Sequence, residues 1–90
     1  MAWTVEFSPD AEKDLGRLDK PVQRRIRDFL DKRLLRAPDP RKLGAALSGE
    51  LKGAWKYRVG DWRVIARIKD KVVTIHIVRI GHRREVYDRR

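Results

Sequence analysis

The residues best suited to chemistry flank a short turn signal, Gly60-Asp61, between two alternating runs. A two-residue loop there pairs the flanking residues in order: Val59 with Trp62, Arg58 with Arg63, Tyr57 with Val64 and Lys56 with Ile65. Like charges opposite each other destabilise a strand pair by about 0.2–1 kcal/mol, so Arg58 and Arg63 together predict an anion site, with phosphate as the natural ligand. Arg63→Ala is then expected to leave the fold intact and its stability unchanged or slightly higher. The alternative is a solvated basic face on a very basic protein.

RNA cleavage without a metal is the reaction that these residue types suit. It needs a base for the 2′-hydroxyl proton, an acid for the leaving 5′-oxygen, and fixed positive charge beside the phosphate. Lys56 is a candidate base because the neighbouring cations Arg58 and Arg63 favour its neutral amine form. His82 is a second candidate for proton transfer, since imidazole exchanges protons near neutral pH.

The C-terminal segment, residues 81–90, begins at a glycine where the last strand pattern stops. If it folds back over the hairpin, Arg83 adds a phosphate ligand and Tyr87 stacks on or orients a base. Arg84 is a further candidate RNA contact. A frayed basic tail is the alternative explanation.

Composition limits the possible partners and cofactors. Ninety residues predict one domain, 1–90, and 23 Lys and Arg against 13 Asp and Glu give a net charge of +10, which favours RNA, DNA or an acidic protein as partner. No apolar run approaches the about 20 residues that span a bilayer, and the N-terminus lacks a signal-peptide pattern. We therefore expect a cytoplasmic protein with no membrane partner. With no cysteine and two histidines, no metal and no cofactor are predicted.

The N-terminal half predicts a strand and a helical hairpin. Residues 2–7 alternate between apolar and polar, as in a half-buried strand. A capping side chain followed by proline begins each of two helices, at Ser8-Pro9 and at Asp19. The first helix is expected to end near Leu18 and the second before the proline-rich residues 37–40.

The C-terminal half predicts three antiparallel strands, at residues 54–59, 62–69 and 72–80. A tight turn at Asp70-Lys71 would pair Val64 with Ile77 and Ala66 with Ile75. The helices must then cover the Trp62 face of the sheet. The uncovered face keeps Lys56, Arg58, Arg63, Arg67 and His76, with Ile65 and Val78 among them, and is expected to form a mixed groove. The fold class is α+β: an N-terminal strand, a two-helix hairpin, and three antiparallel strands in one sheet with the helices on one face.

The polar face of the second helix is also basic, with Arg24, Arg25, Arg27, Lys32 and Arg33 interrupted by Asp28 and Asp31. Most faces of this kind are simply solvated. The alternatives are contacts to a nucleic-acid backbone and a docking groove for a partner helix.

The order of elements and two stretches of sequence resemble the RelE/ParE superfamily of bacterial and archaeal toxin–antitoxin toxins. The stretches are residues 51–65, LKGAWKYRVGDWRVI, and residues 79–87, RIGHRREVY, and the resemblance covers nearly the whole chain. For RelE-type toxins it implies an mRNA endonuclease that acts on the ribosome by attack of a 2′-hydroxyl on the adjacent phosphate. It also implies three partners: a cognate acidic antitoxin, the ribosome with its mRNA, and operator DNA through the antitoxin complex alone.

The resemblance also implies roles for individual residues. Lys56 matches a proposed base, Arg58 a second cation, Arg63 a phosphate-binding arginine, Arg83 an arginine that stabilises the leaving group, and Tyr87 a tyrosine near the C-terminus. Arg58 stands where RelE has a lysine, which keeps the charge but removes a possible proton carrier. His82 stands where RelE has another lysine and supplies the missing titratable group. Relatives with a carboxylate base have a glutamate before the hairpin, whereas residues 43–47 here read LGAAL.

A ribosome-dependent mRNA endonuclease, or mRNA interferase, is therefore the expected function. One alternative is a ParE-like toxin that blocks DNA gyrase and has no nuclease chemistry. Another is a non-catalytic RNA- or ribosome-binding module.

Overall fold

The computed structural model describes residues 3–84. Within them the strands and helices are β1 (Thr4–Phe7), α1 (Pro9–Gly16), α2 (Lys20–Phe29), β2 (Ala45–Ala46), β3 (Ala54–Val59), β4 (Trp62–Lys69) and β5 (Thr74–His82). The strands form one sheet in the order β1-β5-β4-β3-β2, in which β1 is parallel to β5 and the other pairs are antiparallel. The predicted α+β class is confirmed. The alternation pattern misses β2 because that strand has two residues.

The two helices begin as predicted but differ in how they are capped. The Ser8 hydroxyl accepts a hydrogen bond from the Ala11 backbone N–H at 3.0 Å, which caps α1. Asp19 occupies the N-cap position of α2 in an extended conformation without a side-chain cap bond. Beyond Phe29 the helical path continues as a π-turn over Leu30–Leu34, so the apolar stripe of α2 remains on the sheet.

One core lies between the helices and one face of the sheet. It contains Ala11, Leu15, Ile26, Leu30 and Leu34 from the helical segments, and Tyr57, Val59, Val64, Ala66, Ile75, Ile77 and Ile80 from the strands. Trp62 packs against this cluster, as the sequence predicted for its face. The alternate residues of β3 and β4 therefore lie on the other face of the sheet, which we call the open face.

The two hairpins differ in how well their register was predicted. All four predicted pairs between β3 and β4 are confirmed. The predicted pairs between β4 and β5 are wrong, because Ala66 pairs with Ile77 and Ile68 with Ile75. The connection is a 3-10 turn, Asp70–Val72, followed by Val73 in the left-handed region, and it displaces the register by two residues without exchanging the faces.

A bulge in β5 then exchanges the faces within that strand. Ala66 pairs with Ile77 and Ile65 with Arg79, so Val78 is the extra residue. Because side chains alternate along a strand, one extra residue moves Ile80 onto the core face.

The first helix closes the edge of β5 beyond the last residue of β1. The Ser8 hydroxyl donates to the Val78 carbonyl at 2.8 Å. Asp14 accepts from the Ile80 backbone N–H and from Arg79 Nε, each at 2.9 Å. The hydrogen bond that Arg79 donates to Asp14 raises the pKa of Arg79 despite its partial desolvation. These bonds satisfy backbone groups that an open sheet edge would expose.

Tyr57 ties the long connection between α2 and β3 to the core. Its side chain is fully buried, and its hydroxyl donates to the Pro40 carbonyl at 2.8 Å. Its ring lies 6.0 Å from that of Phe29. Burial raises the pKa of Tyr57 to about 12, with Arg41 lowering it and Asp39 raising it by smaller amounts.

Tyr57→Phe is expected to change how stability depends on alkaline pH. In the wild type the unfolded phenol ionises near its ordinary pKa of about 10, and the folded one at about 12. The stabilisation from the neutral phenol is therefore fully present below about pH 10 and is lost as pH rises towards about 12, by at most about 3 kcal/mol. The variant lacks this loss, although at neutral pH it is less stable by about 1 kcal/mol because its hydrogen bond is gone.

Urea unfolding of both proteins from neutral pH to about pH 11 measures the difference. The gap between wild type and variant should narrow as pH rises above about 10. Parallel curves over the whole range would contradict the assignment to Tyr57.

Candidate functional site

The open face carries three rows of residues across the sheet. By register, the row at the hairpin turn is Arg58, Arg63 and Gly81; the middle row is Lys56, Ile65 and Arg79; and the far row is Arg67, His76 and Glu6. The structure therefore brings five of the predicted site residues onto one face: Lys56, Arg58, Arg63, Arg67 and His76. Ile65 lies among them and is 2% exposed, so the face is mixed, as expected.

Arg63 is a buried arginine that holds the hairpin turn. Its side chain folds back so that Nη1 donates to the Gly60 carbonyl at 2.9 Å and to the Trp62 carbonyl at 3.0 Å. The residue is 7% exposed. These bonds change the expectation for Arg63→Ala from unchanged stability to a loss, because the guanidinium donates to two turn carbonyls as well as facing Arg58.

Lys56 and Arg58 differ in exposure although both lie on the open face of β3. Arg58 is exposed near the end of its strand. Lys56 is half-buried and pairs with Ala45 on one side and Ile65 on the other. Its row therefore places Lys56 between apolar neighbours and next to the row of Arg58 and Arg63.

Arg67 and His76 occupy the far row with local partners. His76 Nδ1 lies 3.4 Å from a Glu6 carboxylate oxygen, an ion pair when the imidazole is protonated. Arg67 Nη1 donates to the Lys52 carbonyl at 3.4 Å. Both lie in the row farthest from the hairpin turn, and their role as RNA contacts stays a prediction.

His82 lies on the other side of the sheet from Lys56. It pairs with Trp62, and the two rings meet edge to face with centroids 5.4 Å apart. Its Nδ1 accepts from the Arg84 backbone N–H at 3.3 Å. The bulge at Val78 causes this placement, so the structure does not bring His82 into the cluster, and its role in proton transfer stays a prediction.

The chain after β5 is attached to the hairpin turn. The Arg83 backbone N–H donates to the Asp61 carbonyl at 2.9 Å, which places Arg83 beside the row of Arg58 and Arg63. The side chains of Arg83 and Arg84 are exposed. Tyr87 lies outside the described residues, and its role stays a prediction.

A groove between α2 and the hairpin turn contains part of the basic helix face for which nucleic-acid contacts and a docking groove were the alternatives to simple solvation. Arg25, Lys32 and Arg33 line it together with Arg58. Their spacing could have identified it, since Arg25, Phe29 and Arg33 are four residues apart on one helix face. What the sequence could not provide was the position of that face against the turn.

The described part of the chain, residues 3–84, has neither a metal-ligand cluster nor a membrane-spanning helix. No three His, Cys, Asp or Glu side chains in this part of the chain are grouped so that they could hold a metal ion. No helix there is long and apolar enough to cross a membrane.

Arg63→Ala is expected to lower the free energy of unfolding by about 1–3 kcal/mol, since it removes two hydrogen bonds from a charged donor. Arg58→Ala is the matched control. It removes the same charge from the opposite, exposed position and should change stability by less than about 1 kcal/mol, with a gain from the relieved repulsion. Urea unfolding at neutral pH measures both, and equal stabilities for the two variants would show that the turn bonds contribute nothing.

Comparisons with known proteins agree on one family. A family model described as the ParE toxin of the type II toxin-antitoxin system parDE matches residues 5–87. Toxin RelG of Mycobacterium tuberculosis is 34% identical over 89 residues, which cover 99% of this chain and 100% of RelG.

Two solved structures share the fold over most of their length. The toxin–antitoxin complex RelBE2 from Mycobacterium tuberculosis matches with a TM-score of 0.83 and 32% identity, covering 91% of this chain and 99% of that chain. The archaeal RelE–RelB complex from Pyrococcus horikoshii matches with a TM-score of 0.70 and 30% identity, covering 92% and 97%. Because the family model spans most of the chain and RelG is similar over its full length, this protein belongs to the RelE/ParE superfamily of toxins of type II toxin–antitoxin systems.

Proposed function

We propose that this toxin is a ribosome-dependent mRNA endonuclease that inhibits translation. The observation that carries the proposal is the placement of Lys56 in the row beside Arg58 and Arg63 on the open face. A candidate base next to two proposed phosphate-binding cations supplies two of the three groups that cleavage by a 2′-hydroxyl requires, and solvent water can supply the proton for the leaving 5′-oxygen. Membership of the RelE/ParE superfamily supports the proposal, since the relatives RelG and RelE are toxins.

Each residue of the cluster has a proposed role in the reaction. Lys56 takes the proton of the 2′-hydroxyl as its oxygen attacks the adjacent phosphorus. The bond from phosphorus to the 5′-oxygen breaks, the leaving oxygen takes a proton from solvent water, and a 2′,3′-cyclic phosphate remains, while the Lys56 ammonium returns its proton to solvent. Arg58, Arg63 and Arg83 stabilise the charge that develops on the phosphate. Arg63 is fixed in advance by its bonds to the turn, which reduces the reorganisation needed during the reaction.

A second candidate function is inhibition of DNA gyrase. It is favoured by the family model, which describes a ParE toxin. On this hypothesis the basic open face binds a protein or DNA surface and no bond is cut.

The proposed partners follow from charge and from the relatives. The RelBE2 and archaeal RelE–RelB structures are toxin–antitoxin complexes, and a net charge of +10 suits an acidic antitoxin. Translating ribosomes with mRNA are the proposed target, in the cytoplasm. Operator DNA is reached through the antitoxin complex.

Lys56→Ala is expected to reduce mRNA cleavage on translating ribosomes by a factor of about 10²–10⁴, the usual contribution of a general base. His82→Ala should reduce it much less, because His82 lies beside Trp62 on the helix side of the sheet. Arg24→Ala is the control for loss of one charge at an exposed helical position. Mapped mRNA ends measure the cleavage.

Two results would contradict this assignment. A larger loss in His82→Ala, with a changed pH profile, would transfer the proton chemistry to the histidine. Intact mRNA with the wild type, together with blocked supercoiling by purified gyrase, would replace the nuclease with the gyrase inhibitor. If neither assay responds, the protein is a non-catalytic binding module.

If a small acidic protein is encoded beside this gene, co-expression with it should neutralise toxicity and yield a complex with less net positive charge than the toxin. Disordered antitoxin segments fold on binding and can cover a large surface. Elution from a cation exchanger at lower salt than the free toxin measures the change in charge. A chain that is harmless alone and binds no such protein would contradict the toxin–antitoxin pairing.

A further inference from the structure

A groove of about 320 Å³ lies between α2 and the end of the first hairpin. Its apolar part is formed by Phe29 and Val59. Its cationic part, among the described residues, is formed by Arg25, Lys32, Arg33 and Arg58. We call it the α2 groove.

The groove depends on a glycine in the turn. Gly60 has a φ of +62°, and a Cβ atom there would lie 2.9 Å from Arg25 Nη1. The absence of a side chain therefore lets the Arg25 guanidinium lie against the turn. Arg25, Phe29 and Arg33 follow one another at intervals of four residues, and α2 together with the π-turn Leu30–Leu34 brings all three to the groove beside the hairpin.

Charge in the α2 groove is strongly unbalanced. Asp28 is the carboxylate among the described residues that line it, and it lies 3.8 Å from Lys32 in an exposed pair within one helix turn. Arg33 lies over the Phe29 ring, 5.8 Å from its centroid. A ligand that fits must supply negative charge to the cations and a flat apolar group to the ring. A nucleotide supplies both.

Arg58 belongs to both surfaces. It forms the row at the hairpin turn with Arg63 on the open face, and it lines the α2 groove. The cationic surface is therefore continuous around the end of β3, where the two residues of β2 pair with Trp55 and Lys56 and leave Arg58 at the edge.

We infer that the α2 groove binds single-stranded RNA. It extends the open face and holds the nucleotides that flank the cut in the same strand. The inference rests on the proposed function for the phosphate at the open face. Arg25 and Arg33 contact the flanking phosphates, and Phe29 offers a face for a base. An acidic protein segment would satisfy the cations, but the continuity with the cluster of Lys56, Arg58 and Arg63 favours one polyanion that spans both surfaces.

The test compares two double variants of one helix. Arg25→Ala with Arg33→Ala removes two cations that line the groove. Arg24→Ala with Arg27→Ala removes two cations from exposed positions of α2 that do not line it. Both lose the same charge, and all four positions are exposed, so neither substitution opens a cavity in the core. Thermal unfolding confirms that both proteins remain folded.

Binding is measured with fluorescent 2′-O-methyl RNA, which cannot be cleaved, in lengths of about 4 and about 12 nucleotides, within the usual range of single-strand site sizes. The groove variant should lose most of the affinity that the wild type gains with the longer strand. Its slope of log K against log salt should fall by about 1.4 relative to the wild type, since each phosphate contact to a single strand contributes about 0.7. The control variant should keep both the length effect and most of the slope.

Equal losses in the two double variants would overturn the groove, because they would reflect net charge alone. The groove would also be overturned as an RNA site if the groove variant kept its RNA binding but bound the acidic antitoxin more weakly. Cleavage is scored separately on translating ribosomes. If the wild type does not cleave but the groove variant loses the length effect, the proposed activity fails and the RNA groove stands. If the wild type cleaves and the variants bind alike, the activity stands and the groove fails.

Discussion

The hairpin turn at Gly60-Asp61 has to close two strands that each bring an arginine to its end. Arg63 solves part of this problem by donating to the Gly60 and Trp62 carbonyls, which directs its charge into the turn. The same turn receives the Arg83 backbone N–H on the Asp61 carbonyl, and Gly60 lets Arg25 approach from α2. Three segments that are distant in sequence therefore meet at one turn. The candidate phosphate site and the α2 groove both depend on its geometry.

The two faces of the sheet have different roles, and this allows several cations to lie close together on one of them. Folding is driven by the helix-covered face, where Tyr57, Ile26 and Ile77 are fully buried, so the open face is free to carry cations. Among the described residues, the ion pairs of the sheet lie away from the turn: Asp14 with Arg79 at the β5 edge, and Glu6 with His76 in the far row. Asp70 pairs with Arg41 beside the second connection. These three carboxylates therefore pair with cations outside the hairpin turn at which the reaction is proposed.

Sequence reasoning succeeded where a short turn determined the structure and failed where the backbone was irregular. Gly60-Asp61 fixes the register of β3 and β4, and with it the shared face of Lys56, Arg58 and Arg63. Nothing in the alternation of residues 72–80 indicates that Val73 adopts a left-handed conformation or that Val78 is an extra residue. The bulge reverses the alternation after that point, so His82, which has the same parity as His76, lies beside Trp62 instead. The burial of Arg63 was also missed, because a charged residue on a polar face carries no sequence signal for bonds to its own turn.

Arg63 has a structural role in the turn and a proposed role in binding phosphate, so its substitution changes both. Arg63 closes the turn and is also proposed to hold the phosphate, so its loss would change the positions of Arg58, Arg83 and Arg25 as well as removing one cation. Substitution of Arg58 or Lys56 is expected to disturb the turn less. Arg58 is exposed at the strand edge, and Lys56 lies in the next row. Effects within one site are not additive, and here part of that coupling passes through the backbone of the turn. The contribution of phosphate binding is therefore separable from that of folding at Arg58, where charge can be removed while the turn keeps its hydrogen bonds.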